Sequence, residues 1–156
     1  MKGLKLTIQL EVPEEVERVL VFSKDYTLNQ VHKIIQISMG WQDLKDYYFV
    51  VGDKYFSEMD LGLEDYPFSY GDTRKLRPED GEVFYFYDGG IWKHKITVEE
   101  AEIETPVPKV LSYKGDCPNE QIPSPKLYLD LLKANSPLIE KYNIDEINHI
   151  LKTSFQ

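Results

Sequence analysis

The stretch "FYFYDGGIWKHKITVEE", residues 84–100, holds two aromatic and aliphatic runs separated by Asp88-Gly89-Gly90. Alternating apolar runs on either side of a glycine-rich bend specify an antiparallel hairpin. The length of the bend then decides which residues face the interior, because a one-residue slip exchanges the two faces of a strand. A three-residue bend with a left-handed glycine puts Phe84 opposite His94 and Phe86 opposite Trp92. Phe84, Phe86, Trp92, His94, Ile96 and Val98 then share one face, and Tyr85, Tyr87, Lys93 and Lys95 the other. Burial favours this register, since a buried Phe contributes about 1.5–3 kcal/mol and has no polar tip to satisfy. A two-residue bend would instead send the tyrosines inward beside Trp92. In the expected register His94 is the one titratable group on an apolar face.

Elsewhere the pattern is easier to read. "LKLTIQLEV" alternates, with Leu4, Leu6, Ile8, Leu10 and Val12 on one side, and predicts a half-buried strand. Pro13-Glu14-Glu15 predicts a turn, and Val16 to Phe22 its hairpin partner. "TLNQVHKIIQISMGW" predicts a helix: Thr27 with Gln30 forms a capping box, and Gly40 is a C-cap. Leu28, Val31, Ile35 and Met39, with Ile34 and Ser38, make its inward stripe. "YYFVVGDKYF" reads as strand, Gly-Asp turn and strand. The acidic stretch from Ser57 to Asp72 reads as a long loop, "TRKLRPEDG" as a turn-rich connector, and Glu104 to Pro108 as a break in the long strand. A C-terminal helical segment starts near residue 124, with Pro125 at the first helical position. A last helix follows Asn143, with Ile144, Ile147, Ile150 and Leu151 facing inward. The order β-β-α-β-β, then β-β, then helices predicts an α+β fold, a largely antiparallel sheet built from hairpins with helices on one face. The opening could support a β-grasp-like roll.

The chain has 156 residues, 42% of them hydrophobic. That suits one domain over residues 1–156, burying about 70% of the unfolded surface with no disulfide or metal staple. The net charge is −9, and Ser57 to Asp72 carries five acids and no base. No cluster of Lys and Arg is present to neutralise phosphates, so nucleic-acid binding is disfavoured and a basic protein partner suits the charge. Cys117 is the single cysteine, which excludes an intrachain disulfide and fits a reducing compartment. The N-terminal residues alternate rather than form a signal-peptide block. The longest strictly apolar run, Tyr47 to Val51, is far short of the ~20 residues that cross a membrane. A cytoplasmic protein without membrane contact is the expectation.

Several motifs together resemble the plasmid pRiA4b ORF-3-like family. They are "LTIQL", "YTLNQVHKIIQISMGW", "FYFYDGGIWKHKI" and "CPNE" before a tyrosine-bearing helix, spanning about Leu4 to Lys133. The most specific pieces are Trp92-x-His94 and Cys117-Pro118-x-Glu120. The resemblance implies an α+β fold and a cytoplasmic setting. The chain departs from the family pattern in its Asp-Gly-Gly bend, in Lys45 where a histidine is common, and in Gln121, Pro123 and Ser124 where Asp and glycines stand. These departures erode the polar motif. The family's link to resolvases finds no N-terminal serine nucleophile with flanking arginines here.

Two functional readings follow. An acidic, tyrosine-rich binding module is the first, with Tyr66, Phe68 and Tyr70 of the acidic stretch as interface anchors or as pins holding that stretch to the sheet. It needs no cofactor and is not an enzyme. The alternative is a metal-binding or metal-dependent hydrolase-like site from Asp88, His94, Cys117 and Glu120, ligand types that suit zinc. No close metal-ligand spacing supports it. Without a ligand, the quartet is a turn aspartate, a packed histidine, a buried thiol and a surface glutamate. His32 and His149 read as boundary residues of their helices. Asp88, Glu99, Glu100, Glu102 and Glu104 read as an acidic, pairing-resistant strand end or as an edge for a basic partner.

Overall fold

The computed structural model describes residues 1–12, 15–57, 68–70, 74–116, 118, 122–137 and 139–155, with 68–70 as backbone only. Eight strands form one sheet: β1 Lys2–Leu10, β2 Val16–Ser23, β3 Tyr47–Val51, β4 Lys54–Ser57, β5 Phe68–Tyr70, β6 Glu82–Tyr87, β7 Trp92–Glu102 and β8 Lys109–Lys114. Their spatial order is β5-β4-β3-β6-β7-β1-β2-β8. Every neighbouring pair is antiparallel except β4 and β5, which run parallel. The fold is therefore α+β. The opening ββα order forms as expected, but any roll it could support gains no parallel strand beside β1: both β2 and β7 run antiparallel to it.

One sheet face is buried across β1, β2, β3, β6 and β7. Leu6 and Ile8 of β1, Leu20 of β2 and Ile96 of β7 are all 0% exposed and lie in register across the sheet. Helix α1 (Leu28–Met39) closes this face, carrying the Thr27–Gln30 capping box and a left-handed Gly40 C-cap, φ 80°. Helices α2 (Pro125–Lys133) and α3 (Ile144–Ser154) add Tyr128, Ile147 and Leu151 to the same core. Ile150 corrects the expected stripe of α3: it is 38% exposed. No helix among the described residues is long and apolar enough to cross a membrane.

Three features depart from the sequence reading. Residues 68–70 form a strand inside the stretch expected to be a loop. Strand β8 docks against β2, some ninety residues earlier, to make the far edge. The carboxamide of Asn148 on α3 accepts from Val110 N–H at 2.7 Å and donates to its carbonyl at 3.0 Å. This occupies part of a backbone edge that would otherwise invite another strand. Finally, Asp88 lies at the hairpin tip, apart from Glu99, Glu100 and Glu102, which occupy the far end of β7 beyond its last β6 pair, Glu82 with Thr97, where β1 alone pairs with it among the described residues.

Candidate functional site

The hairpin of β6 and β7 takes the register opposite to the expected one. Tyr85 pairs with His94 and Tyr87 with Trp92, leaving Asp88 to Ile91 as a four-residue bend. Asp88, Gly89 and Gly90 have φ of 56°, 67° and 93°. Three successive left-handed residues are costly for side chains with a Cβ, which accounts for the two glycines. Tyr85 and Tyr87 are fully buried, whereas Phe84 and Phe86 lie half-buried on the outer face. There Lys93 Nζ stands 4.7 Å from the Phe84 ring centre and 5.7 Å from that of Phe86.

Satisfaction of the tyrosine hydroxyls explains the reversal. Tyr85 Oη is hydrogen-bonded to His32 Nδ1 at 2.7 Å and accepts from Gln36 Nε2 at 2.9 Å. His32 Nε2–H in turn donates to Asp43 Oδ1 at 2.6 Å, and the His32 ring stacks on Tyr47 at 3.5 Å. Tyr87 Oη accepts from Leu44 N–H at 2.9 Å and Lys45 N–H at 3.1 Å. A buried hydroxyl is costly only when it lacks partners. With partners waiting on α1 and the segment after it, the larger tyrosines fill the core without that cost. His32 is thus an interior residue, 1% exposed, and not a boundary residue, while His149 is exposed.

Tyr85→Phe keeps the ring but removes one oxygen that serves two buried groups. The expected loss is about 2–3 kcal/mol in urea unfolding, from the orphaned imidazole nitrogen and carboxamide. A loss under about 0.5 kcal/mol would show that the network adds nothing to stability.

Trp92 and His94 face inward as expected, both 0% exposed. Trp41, just past the C-cap of α1, meets both: its ring lies edge-on to His94 at 5.4 Å and 6.2 Å from Trp92. It also stacks on Tyr87 at 5.0 Å. His94 Nδ1 lies 3.1 Å from the Tyr85 carbonyl. A carbonyl only accepts, so Nδ1 carries the proton. Burial pulls the His94 pKa down from 6.5 to about 4, against the opposing pull of the Tyr85 and Trp92 carbonyls. At neutral pH, Nε2 is therefore a bare lone pair. It has no hydrogen-bond partner among the described residues, and neither does Trp92 Nε1.

Asp88 sits at the hairpin tip, its N–H donating to Asp46 O. Cys117, Glu120 and Tyr66 lie outside the described residues, and so do the side chains of Phe68 and Tyr70. Pro118 is described, and its carbonyl accepts from Trp41 Nε1 at 2.8 Å. Among the described residues no three His, Cys, Asp or Glu side chains converge as metal ligands.

A cavity of about 420 Å³ opens between the end of α1, Pro118 and the start of α3, with Trp41 in its wall. The family profile described as plasmid pRiA4b ORF-3-like protein matches residues 2–156. The chain belongs to this family. An uncharacterized protein, y4hQ of Sinorhizobium fredii (strain NBRC 101917 / NGR234), is 29% identical over 141 residues, covering 84% of this chain and 71% of that protein. The crystal structure of a protein of unknown function, MM3350 from Methanosarcina mazei Go1, superposes with a TM-score of 0.73 at 21% identity, covering 85% of this chain and 81% of that one. At that identity the likeness concerns the fold. In this pRiA4b ORF-3-like chain, Trp92 and His94 of the hairpin motif thus meet Trp41 of the helix-ending Gly-Trp motif, and Trp41 meets the Cys-Pro segment through Pro118.

Residues the sequence reading passed over are Trp41, Gln36, Asp43 and Arg18. Arg18 had a legible signal, since it occupies an inward position of β2 between Val16 and Leu20. Asp43 had none, because its role depends on where His32 lies in three dimensions.

Proposed function

We propose that this protein is a non-enzymatic binding module that holds a basic, partly apolar segment of a protein partner in the cavity beside Trp41. The cavity carries this reading. Its wall offers apolar surface from Ile37, Trp41 and Ile150, with the carboxylates of Glu140 and Glu146 also in its lining. Ile150 is 38% exposed, an apolar side chain left at the opening. Such a combination suits a cationic segment with an aliphatic or aromatic anchor, and the chain's net charge of −9 would speed its approach. Tyr66, Phe68 and Tyr70 enter the same reading as additional anchors.

Peptide arrays with Lys- and Arg-rich amphipathic sequences test it, read by Trp fluorescence and repeated at high salt. Salt-sensitive binding is expected, weakened about tenfold or more by Ile150→Glu and by Glu146→Lys. Equal binding of acidic and basic peptides, or indifference to both variants, would remove the reading.

A second reading, metal binding, is favoured by one observation: the Nε2 lone pair of His94 has no partner among the described residues, while its Nδ1–H is tied to a carbonyl. Metal-bound histidines are commonly oriented in this manner by a main-chain acceptor. Asp88, Cys117 and Glu120 would be the other ligands of a zinc-like ion. Elemental analysis of chelator-free protein decides this: stoichiometric metal, lost in both His94→Gln and Cys117→Ser, supports it, and metal-free protein ends it.

A further inference from the structure

We propose that a second cavity, at the N-terminal end of α1, binds a phosphate-bearing small molecule. Its volume is about 440 Å³, within the range of small-ligand sites. Helix α1 has 12 residues, so the two cavities are separated by a helix of roughly 18 Å. The floor is apolar, with Leu4 and Leu76 each only 2% exposed. Around it stand Lys2, Lys24, Lys75 and Arg77, brought from three separate segments of the chain, against Asp25, Glu79 and Glu100. The whole chain has 27 acids and 18 bases, so the balance around this cavity reverses that of the molecule.

Internal pairing leaves the cations in excess: with Lys2 and Glu100 matched, three cations stand against Asp25 and Glu79. Lys2 is matched to Glu100 at 3.5 Å. Asp25 accepts from Ser23 Oγ at 3.4 Å. Lys24, Lys75 and Arg77 form no ion pair among the described residues. Asp80, three residues past Arg77, is already committed. Asp80 accepts the Arg74 guanidinium at 2.7 Å with one oxygen and Arg77's own N–H at 2.8 Å with the other.

The segment bearing these cations is held in place: Leu28 N–H donates to Arg74 O at 2.8 Å, and Thr27 bridges to Lys75. Three cations outside ion pairs, in excess over Asp25 and Glu79 and set over an apolar floor, match a phosphate monoester on a small apolar body. Such a group carries about −1.5 to −2 charges, against one for a carboxylate, and arginine engages it through two parallel hydrogen bonds.

Phenyl phosphate is the probe, titrated into the full chain and followed by amide NMR shifts, with phenol, benzoate and inorganic phosphate as parallel arms. Saturable shifts at Gly3 and Leu76 are expected, at least tenfold tighter than for the other three compounds. Arg77→Gln with Lys75→Gln should weaken binding at least tenfold, while Glu146→Lys at the other cavity leaves it unchanged. These substitutions sit on the surface, so folding is preserved. Absence of saturation, an equal response to phenol, or indifference to the double variant would overturn the proposal. Equal affinity for inorganic phosphate would overturn its organic part.

Discussion

Arg18→Ala is expected to lower the unfolding free energy by about 3–5 kcal/mol, from the cavity left by a large buried side chain and from the carbonyls left without a donor. Arg18 is fully buried and forms no ion pair among the described residues. Its guanidinium is held by main-chain oxygens instead. Nη1 donates to Glu17 O, Lys114 O and Gly115 O at 2.8–3.0 Å, and Nε donates to Ser38 O at 3.3 Å. Ser38 lies in the last turn of α1, where carbonyls lack helical partners and carry the negative end of the helix dipole. The Tyr142 ring covers the other side, 3.8 Å from Arg18 Cζ, as a cation–π contact that grows stronger when desolvated.

Arg18 thus joins β2, β8, the end of α1 and the segment before α3. Arg18→Met is the informative comparison. It refills the volume and removes the burial cost of the charge, but it leaves the carbonyls unpaired. A loss of about 1–3 kcal/mol, between wild type and Ala, is expected in urea unfolding. A loss below about 1 kcal/mol for Ala would show that the carbonyl cradle is not a stabilising element.

Acidification should weaken the fold through His94 before most carboxylates begin to titrate. The folded pKa is lowered to about 4 from the ordinary 6.5. The unfolded chain therefore takes up this proton first as pH falls. The associated stability is complete above about pH 6.5 and is lost progressively down to about pH 4. A shift of that size corresponds to about 3 kcal/mol. His94→Gln removes the titration, so the stability difference between wild type and variant should shrink steadily across that window. NMR of the His94 ring should show an Nδ1–H tautomer with no titration between pH 5.5 and 8. An apparent pKa of 6 or above would mean that the imidazole is hydrated or paired in the folded protein.

Much of the architecture was legible because it is written in local periodicity. The alternation of Leu4 to Leu10, the Thr27–Gln30 box and Gly40 each specify their element through neighbours within a few residues, and all three appear in the structure. The hairpin register was not legible, although the hairpin was. Phe84 and Phe86 lack polar tips and Tyr85 and Tyr87 carry them, so isolated burial energies favour phenylalanine inside. The deciding partners, His32 and Gln36, lie some fifty residues earlier on α1. Of the candidate site, Trp92 and His94 face inward as read, because their side of β7 follows from alternation with Ile96 and Val98. Trp41 could not be placed beside them from a pattern, since its contact spans two elements.

By itself the sequence determined most of the strands and helices, though not β5, where α1 begins and ends, and that one sheet face is apolar. Those properties follow from side-chain period and capping, which act over one or two turns of chain. The tertiary structure alone decided that tyrosines fill the hairpin's interior, that main-chain carbonyls hold the buried Arg18, and that the His94 imidazole sits fully buried against the Tyr85 carbonyl. Each of those outcomes depends on whether a polar atom finds a partner, and the partner comes from a distant part of the chain.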